Sequence, residues 1–146
     1  MAERFDAIVI GTGQAGPALA VRLAGAGWSV AIVERGRFGG TCVNTGCMPT
    51  KTLVASAYAA HLARRAGEYG VDVDRVSVDM KRVKARKDKV ADTASGNIAA
   101  WLRRTRNVTV IEGHARCGSA GHQQNEQPSH GHPRGPGGGN AAIAAA

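Results

Sequence analysis

The chain has 146 residues and a net charge of +8, with 19 Lys/Arg against 11 Asp/Glu, and its apolar content is mostly Ala, Val and Leu with only six aromatic residues. This suits one domain with a real core and a loose end; no apolar run approaches the roughly 20 residues of a membrane span. Ile8-Val9-Ile10 is too short, and lacks the basic flank, for a secretory signal, so a cytoplasmic protein is expected.

The charge is not spread evenly. Residues 79–106 hold nine Lys/Arg against three Asp/Glu. With no aromatic residue interleaved before Trp101, that segment reads as the solvated face of an amphipathic helix. A nucleic-acid surface built on Lys81, Arg82, Lys84 and Arg86 is the weaker reading, and no nucleic-acid partner is expected.

In chain order, Phe5-Asp6-Ala7-Ile8-Val9-Ile10 is a short apolar run of the kind that forms a buried parallel strand. Gly11-Thr12-Gly13-Gln14-Ala15-Gly16 follows it as G-x-G-x-x-G. An Ala/Leu-rich helix is predicted from about Gln14 to Ala26, then a strand over 28–33 that ends at Glu34. Each glycine has a task. Gly11 makes the tight turn, Gly13 lets backbone approach a pyrophosphate, and Gly16 lets helix and strand pack closely. The pyrophosphate would rest on the helix N-terminus beside Gln14 and Ala15, and Glu34 would accept hydrogen bonds from a ribose. In the order strand, glycines, helix, strand, acid, the pattern predicts a dinucleotide, FAD or NAD. Pro17 is tolerated because it falls so early in the helix.

The next stretch is Gly39-Gly40-Thr41-Cys42-Val43-Asn44-Thr45-Gly46-Cys47-Met48-Pro49-Thr50-Lys51. Proline belongs in a helix's first turn, and Leu53, Val54, Ala57, Tyr58, His61 and Leu62 recur at helical spacing, so a helix is predicted to start near Cys47. Its free N–H groups and dipole favour a thiolate there, and Lys51, one turn on, adds a cation. For Cys42 to reach Cys47 the glycines must bend the chain, and a bridge between them would be local and easily reduced. A redox pair is the leading reading. Two alternatives stand beside it: a zinc site that adds His114 and Cys117, and two inert core cysteines. No resident metal is expected.

Gly67 to Val78 reads as a break, with a short edge strand at Val71-Asp72-Val73-Asp74. Asp79 is placed to cap a long helix running to about Thr105, with Met80, Val83, Val90, Ala94, Ile98 and Trp101/Leu102 on its apolar face. Val108-Thr109-Val110-Ile111 is a third strand, followed by Glu112-Gly113-His114-Ala115. Beyond Cys117 the composition turns to Gly, Pro, Ser, Gln and His, with no Val, Leu, Ile or aromatic residue until Ile143. Such a segment cannot offset its ordering entropy by burial, so residues 117–146 are predicted to form a disordered tail, with adventitious metal binding by His122, His130 and His132 as its only chemistry.

Gly11 to Gly16, Glu34 and above all the stretch from Gly39 to Lys51 resemble the N-terminal FAD-binding region of the class I pyridine nucleotide-disulfide oxidoreductases. That family includes dihydrolipoamide dehydrogenase, glutathione reductase and mercuric reductase. The likeness covers about residues 5–116, and Thr45, Thr50 and residues 52–57 look most like the mercuric-reductase branch. It implies that Cys42 exchanges with substrate while Cys47 lies against the flavin as the charge-transfer thiolate. It also implies that Gly40, Thr41 and Lys51 line the flavin site, and that His114 and Ala115 contact adenine through main-chain atoms. NAD(P)H would supply electrons, and the acceptor would be a small-molecule disulfide or a mercuric-type metal ion. Family members are homodimers that also carry a nicotinamide domain and a dimerisation domain, neither of which this sequence contains. The chain is therefore expected to be truncated and slow or inactive alone, with a non-catalytic, weakly flavin-binding remnant as the alternative.

The predicted fold is α/β. It is an incomplete Rossmann-type FAD-binding domain over residues 1–116, a parallel sheet with flanking helices, followed by the tail over 117–146.

Overall fold

The computed structural model describes residues 3–116. Its elements are β1 (Ala7–Ile10), α1 (Gly16–Gly25), β2 (Val30–Glu34), α2 (Gly40–Asn44), α3 (Cys47–Arg64), a 3-10 turn over Ala66–Tyr69, α4 (Met80–Arg104) and β3 (Val108–Glu112). The strands form one parallel sheet in the order β1-β2-β3, with Ala7, Val30 and Val108 in register at one end. Parallel neighbours need crossovers. The first is α1, and the second is the long α2–α3–α4 excursion.

β2 lies in the middle and its apolar run is the most buried stretch of the chain, Val30 to Val33 being closed to solvent. Period-two alternation sorts the sheet's faces. Val9, Val30 and Ile32, with Ala7, Val108 and Val110 packed beside them, point to the face covered by Ala20 and Ala24 of α1, Ala99 and Leu102 of α4, and Phe38. Small alanines let both helices approach the sheet closely. On the other face Ile10 is exposed.

Most predicted elements form, with shifts of one or two residues at their ends. α1 starts at Gly16 rather than Gln14, and β2 at Val30, which leaves Trp28 exposed. Cys47 opens α3 as expected, and the Asp79 carboxylate caps α4 by accepting from the Lys81 and Arg82 amides at 2.9 and 3.2 Å.

Three expectations are corrected. Residues 71–74 form no strand: they pair with neither edge of the sheet, and Val71 and Val73 stay exposed in an irregular connection. The predicted apolar face of α3 is not buried: Leu53, Val54, Tyr58 and Leu62 are exposed, burial on this helix is confined to Pro49 and Thr52, and its stripe of Ala55, Ser56, Ala59, Ala60 and Ala63 lines an open groove beside the start of α4. Arg86 ties the two helices by donating to the Thr52 carbonyl at 2.9 Å. On α4 the buried positions are Ala91, Ala99 and Leu102, whereas Met80 is 64% exposed and Trp101 also reaches solvent. The cause is length. Only the C-terminal half of this 25-residue helix reaches the sheet.

The short α2 is an element that the periodicity did not announce. The segment predicted to be a disordered tail, with Cys117, His122, His130 and His132, lies outside the described residues.

Candidate functional site

The glycine loop leaves β1 at Gly11, whose amide donates to the Val33 carbonyl at 2.7 Å and whose φ of 91° suits glycine. A Cβ on Gly16 would run into the Gly11 carbonyl, so the start of α1 packs backbone to backbone on the strand end. Gly13 has open space where a side chain would stand. No side chain caps α1 at Ala15, and Gln14 and Ala15 are exposed, so the first N–H groups of the helix remain available to an anion. These features fit the diphosphate of a dinucleotide.

Glu34 ends β2 with its carboxylate turned back on this loop. It accepts from the Thr12 amide at 2.8 Å, the Thr12 hydroxyl at 2.6 Å and the Gly36 amide at 3.0 Å. Burial pushes the carboxyl's pKa up, but the hydrogen bonds from Thr12, Gly36 and Arg35 outweigh it, and the pKa falls below the usual carboxylate value. A carboxylate offers about four acceptor positions, which leaves room for a ribose hydroxyl. Beside it opens a cavity of about 290 Å³ lined by Ile10, Gly11, Val33, Glu34, Arg35, Gly113, His114 and Ala115. Four predicted site residues, Gly11, Glu34, His114 and Ala115, thus surround one space at the C-terminal ends of the strands, where doubly wound sheets bind ligands.

The cysteines sit on consecutive helices. Asn44 folds back to donate to the Phe38 and Gly40 carbonyls at 3.0 and 2.9 Å, which holds the turn into α2. The Thr45 and Gly46 amides both donate to the Thr41 carbonyl, at 2.9 and 2.6 Å, which stops α2 and starts α3 at Cys47. This sharp break sets the two thiols near enough to act on each other's ionisation: the influence of Cys47 pushes the Cys42 thiol's pKa up, burial adds to that, and Lys51 opposes it. Both cysteines are free; Cys42 is half-buried, and Cys47 and Lys51 are exposed. Among the described residues no cluster of three or more His, Cys, Asp or Glu could hold a metal ion.

The two groups of residues touch through bare backbone. A Cβ on Gly40, which has a φ of 61°, would lie 2.9 Å from the Gly13 Cα. The predicted Gly40 therefore meets the predicted Gly13, and the cysteine turn rests on the glycine loop. Thr41 faces solvent on α2.

One residue of this junction escaped sequence reasoning. Thr12 is only 1% exposed, and its hydroxyl donates to Glu34 while accepting from the Gly39 amide at 3.0 Å. The available signal was a β-branched hydroxyl residue inside a glycine loop.

Comparison with known proteins gives a consistent picture. A family described as pyridine nucleotide-disulphide oxidoreductase matches residues 5–129. The dihydrolipoyl dehydrogenase of Bacillus subtilis is 34% identical over 116 residues, which is 80% of this chain and 24% of that protein. The dihydrolipoyl dehydrogenase of Haloferax volcanii is 39% identical over 116 residues, with the same two coverages. Among solved structures, the Cu(II) complex of the HOCl-induced flavoprotein disulfide reductase RclA from Escherichia coli superimposes with a TM-score of 0.60 at 36% identity, covering 77% of this chain and 22% of that one. The chain thus spans about a quarter of the length of the curated relatives it matches.

Proposed function

The chain belongs to the pyridine nucleotide-disulphide oxidoreductase family, and from that premise we propose that it holds FAD and acts as a flavin-linked dithiol–disulfide centre. The observation that carries the reading is the pair of free thiols on consecutive helices, near enough for Cys47 to raise the Cys42 pKa, with the turn that bears them resting on the glycine loop through Gly40 and Gly13. FAD, when bound, supplies two-electron transfer between a nicotinamide and sulfur.

The chain's own residues divide the work. The open backbone at Gly13 and the free amides around Gln14, Ala15 and Gly16 hold the diphosphate, and Glu34 takes the ribose. His114 and Ala115 present main-chain atoms to the adenine, while Gly40, Thr41 and Lys51 line the flavin end. Cys47, at the N-terminus of α3, is the thiol facing the flavin.

Cys42 is the exchange thiol. Its sulfur gives up a proton and attacks one sulfur of a small-molecule disulfide, forming a mixed disulfide and releasing the first product thiol. Cys47 then attacks Cys42, which closes the Cys42–Cys47 bridge and releases the second. Lys51 assists by favouring the Cys42 thiolate, against the Cys47 contact that holds its proton in place. NAD(P)H is the reductant that reopens the bridge. Disulfides are the proposed substrate class, with a mercuric-type ion as the second reading on the likeness of Thr45 and Thr50. We place the protein in the cytoplasm, where thiols are kept reduced; among the described residues no helix is long and apolar enough to cross a membrane.

The test is the visible spectrum of the chain purified with FAD, before and after dithionite, with Cys47→Ser alongside. Retained flavin with a long-wavelength thiolate band that disappears in the variant supports the reading. Retained flavin whose spectrum ignores Cys47→Ser supports a non-catalytic flavin-binding module instead, and loss of all flavin ends both.

A further inference from the structure

Among the described residues, Thr12 is the one side chain whose hydrogen bonds reach both the Glu34 carboxylate and the turn into α2. Its hydroxyl donates to the Glu34 carboxylate at 2.6 Å and accepts from the Gly39 amide at 3.0 Å. Gly39 is the N-cap of α2, with a φ of 100°, and the helix that it opens carries Cys42. Asn44 fixes the same turn from the opposite side through the Phe38 and Gly40 carbonyls. Gly40 touches Gly13 without any intervening side chain. The turn is therefore clamped between Asn44 and Thr12, and the Thr12 hydroxyl is anchored in turn by a carboxylate. Hydrogen bonds to charged groups are stronger than neutral ones, and the Thr12 side that donates this one is nearly closed to solvent.

We propose that Thr12 is a positioning residue of the redox site, whose hydroxyl links Glu34 to Gly39 and so holds α2 in the orientation that keeps the Cys42 sulfur against Cys47. The role rests on the reading of the cysteines as an exchanging pair, but it is set by the polypeptide alone and does not require flavin. It also predicts a two-way link. A ligand that engages Glu34 acts on the thiols through a single hydroxyl, and closing the Cys42–Cys47 bridge acts back on the carboxylate.

The experiment equilibrates the reduced chain, without flavin, against oxidised and reduced glutathione. One molecule of oxidised glutathione takes two electrons and two protons from the two thiols, giving the Cys42–Cys47 bridge and two reduced glutathiones. The fraction bridged reports how well the sulfurs are held together. Thr12→Val keeps the shape and removes the hydroxyl, and it is expected to lower the bridging constant on the order of fivefold, the worth of one ordinary hydrogen bond. Thr12→Ser, which keeps the hydroxyl, is expected to restore it. A general loss of packing would not be repaired by serine, since serine removes the methyl group and valine retains it.

A bridging constant in a folded Thr12→Val chain equal to that of the wild type overturns the proposal. Should the valine variant not fold, amide exchange in the wild-type chain decides: the Gly39 amide must be protected like that of Thr12, and free exchange at Gly39 overturns the clamp. Failure of the broader flavin reading shows separately, as loss of FAD from the wild-type chain with the glutathione equilibrium unchanged.

Discussion

The sheet end of the molecule and the α3–α4 arm are built in opposite ways. Around β2 the apolar residues are closed to solvent and the polar ones are matched to partners: Thr12, Glu34, Gly39 and Gly113 form a continuous set of hydrogen bonds across three separate chain segments. On the arm, the largest apolar side chains of α3 stand in solvent, and Arg86 of α4 reaches across to the Thr52 carbonyl. The contrast shows that the site draws its rigidity from the sheet and from backbone packing. Cys47 sits where the two regimes meet, with its helix anchored over the first two turns by Pro49 and Thr52, the only buried residues of α3.

Substitutions in the two regions test this contrast. The largest effect belongs to the sheet: Ile32, fully buried, is expected to lose about 2–5 kcal/mol of stability as Ile32→Ala, by lost burial and cavity formation. Val54→Ala on the arm, at a side chain 61% exposed, is expected to stay within about 0.5 kcal/mol. Urea unfolding of the two variants measures the difference, and equal losses would erase the distinction drawn between the regions.

Gly16→Ala should come next, at about 1–3 kcal/mol, because its Cβ must push the α1 backbone off the Gly11 carbonyl. Its diagnostic companion is Gly25→Ala, where a Cβ meets nothing within 4 Å. A thermal melt that puts both variants at the wild-type midpoint would show that the close approach carries no constraint.

The smallest effect is read from pH. The Glu34 pKa is lowered in the fold, so its hydrogen bonds add stability that is complete above the ordinary carboxylate range and is lost as pH falls through the lowered value. Glu34→Gln is expected to flatten the acid side of the stability profile and leave its slope near neutrality unchanged. An unaltered acid limb would mean that other carboxylates carry the dependence.

Much of this arrangement was legible in advance because it rests on local geometry. The spacing of Gly11, Gly13 and Gly16 states a turn and a close helix, Pro49 marks a first turn, and Asp79 announces a cap; each depends on a few consecutive residues. The apolar faces were harder to read. Leu53, Val54, Tyr58 and Leu62 have helical spacing, but spacing says only that residues share a face, and here all four stand in solvent while burial on α3 is confined to Pro49 and Thr52. Met80 repeats the lesson on α4, since periodicity cannot tell which half of a long helix reaches the sheet.

The order of short-range signals was enough by itself to determine an α/β nucleotide-type unit with a paired-cysteine turn, because glycine, proline and capping chemistry act over a turn or less. Tertiary structure alone decided three things: that Thr12 would join Glu34 to Gly39 across 22 and 27 residues of sequence, that Gly40 would rest on Gly13, and that only the C-terminal half of α4 would reach the core. Those contacts depend on how parallel strands and crossovers bring distant segments side by side, and nothing within reach of a single turn of chain encodes that.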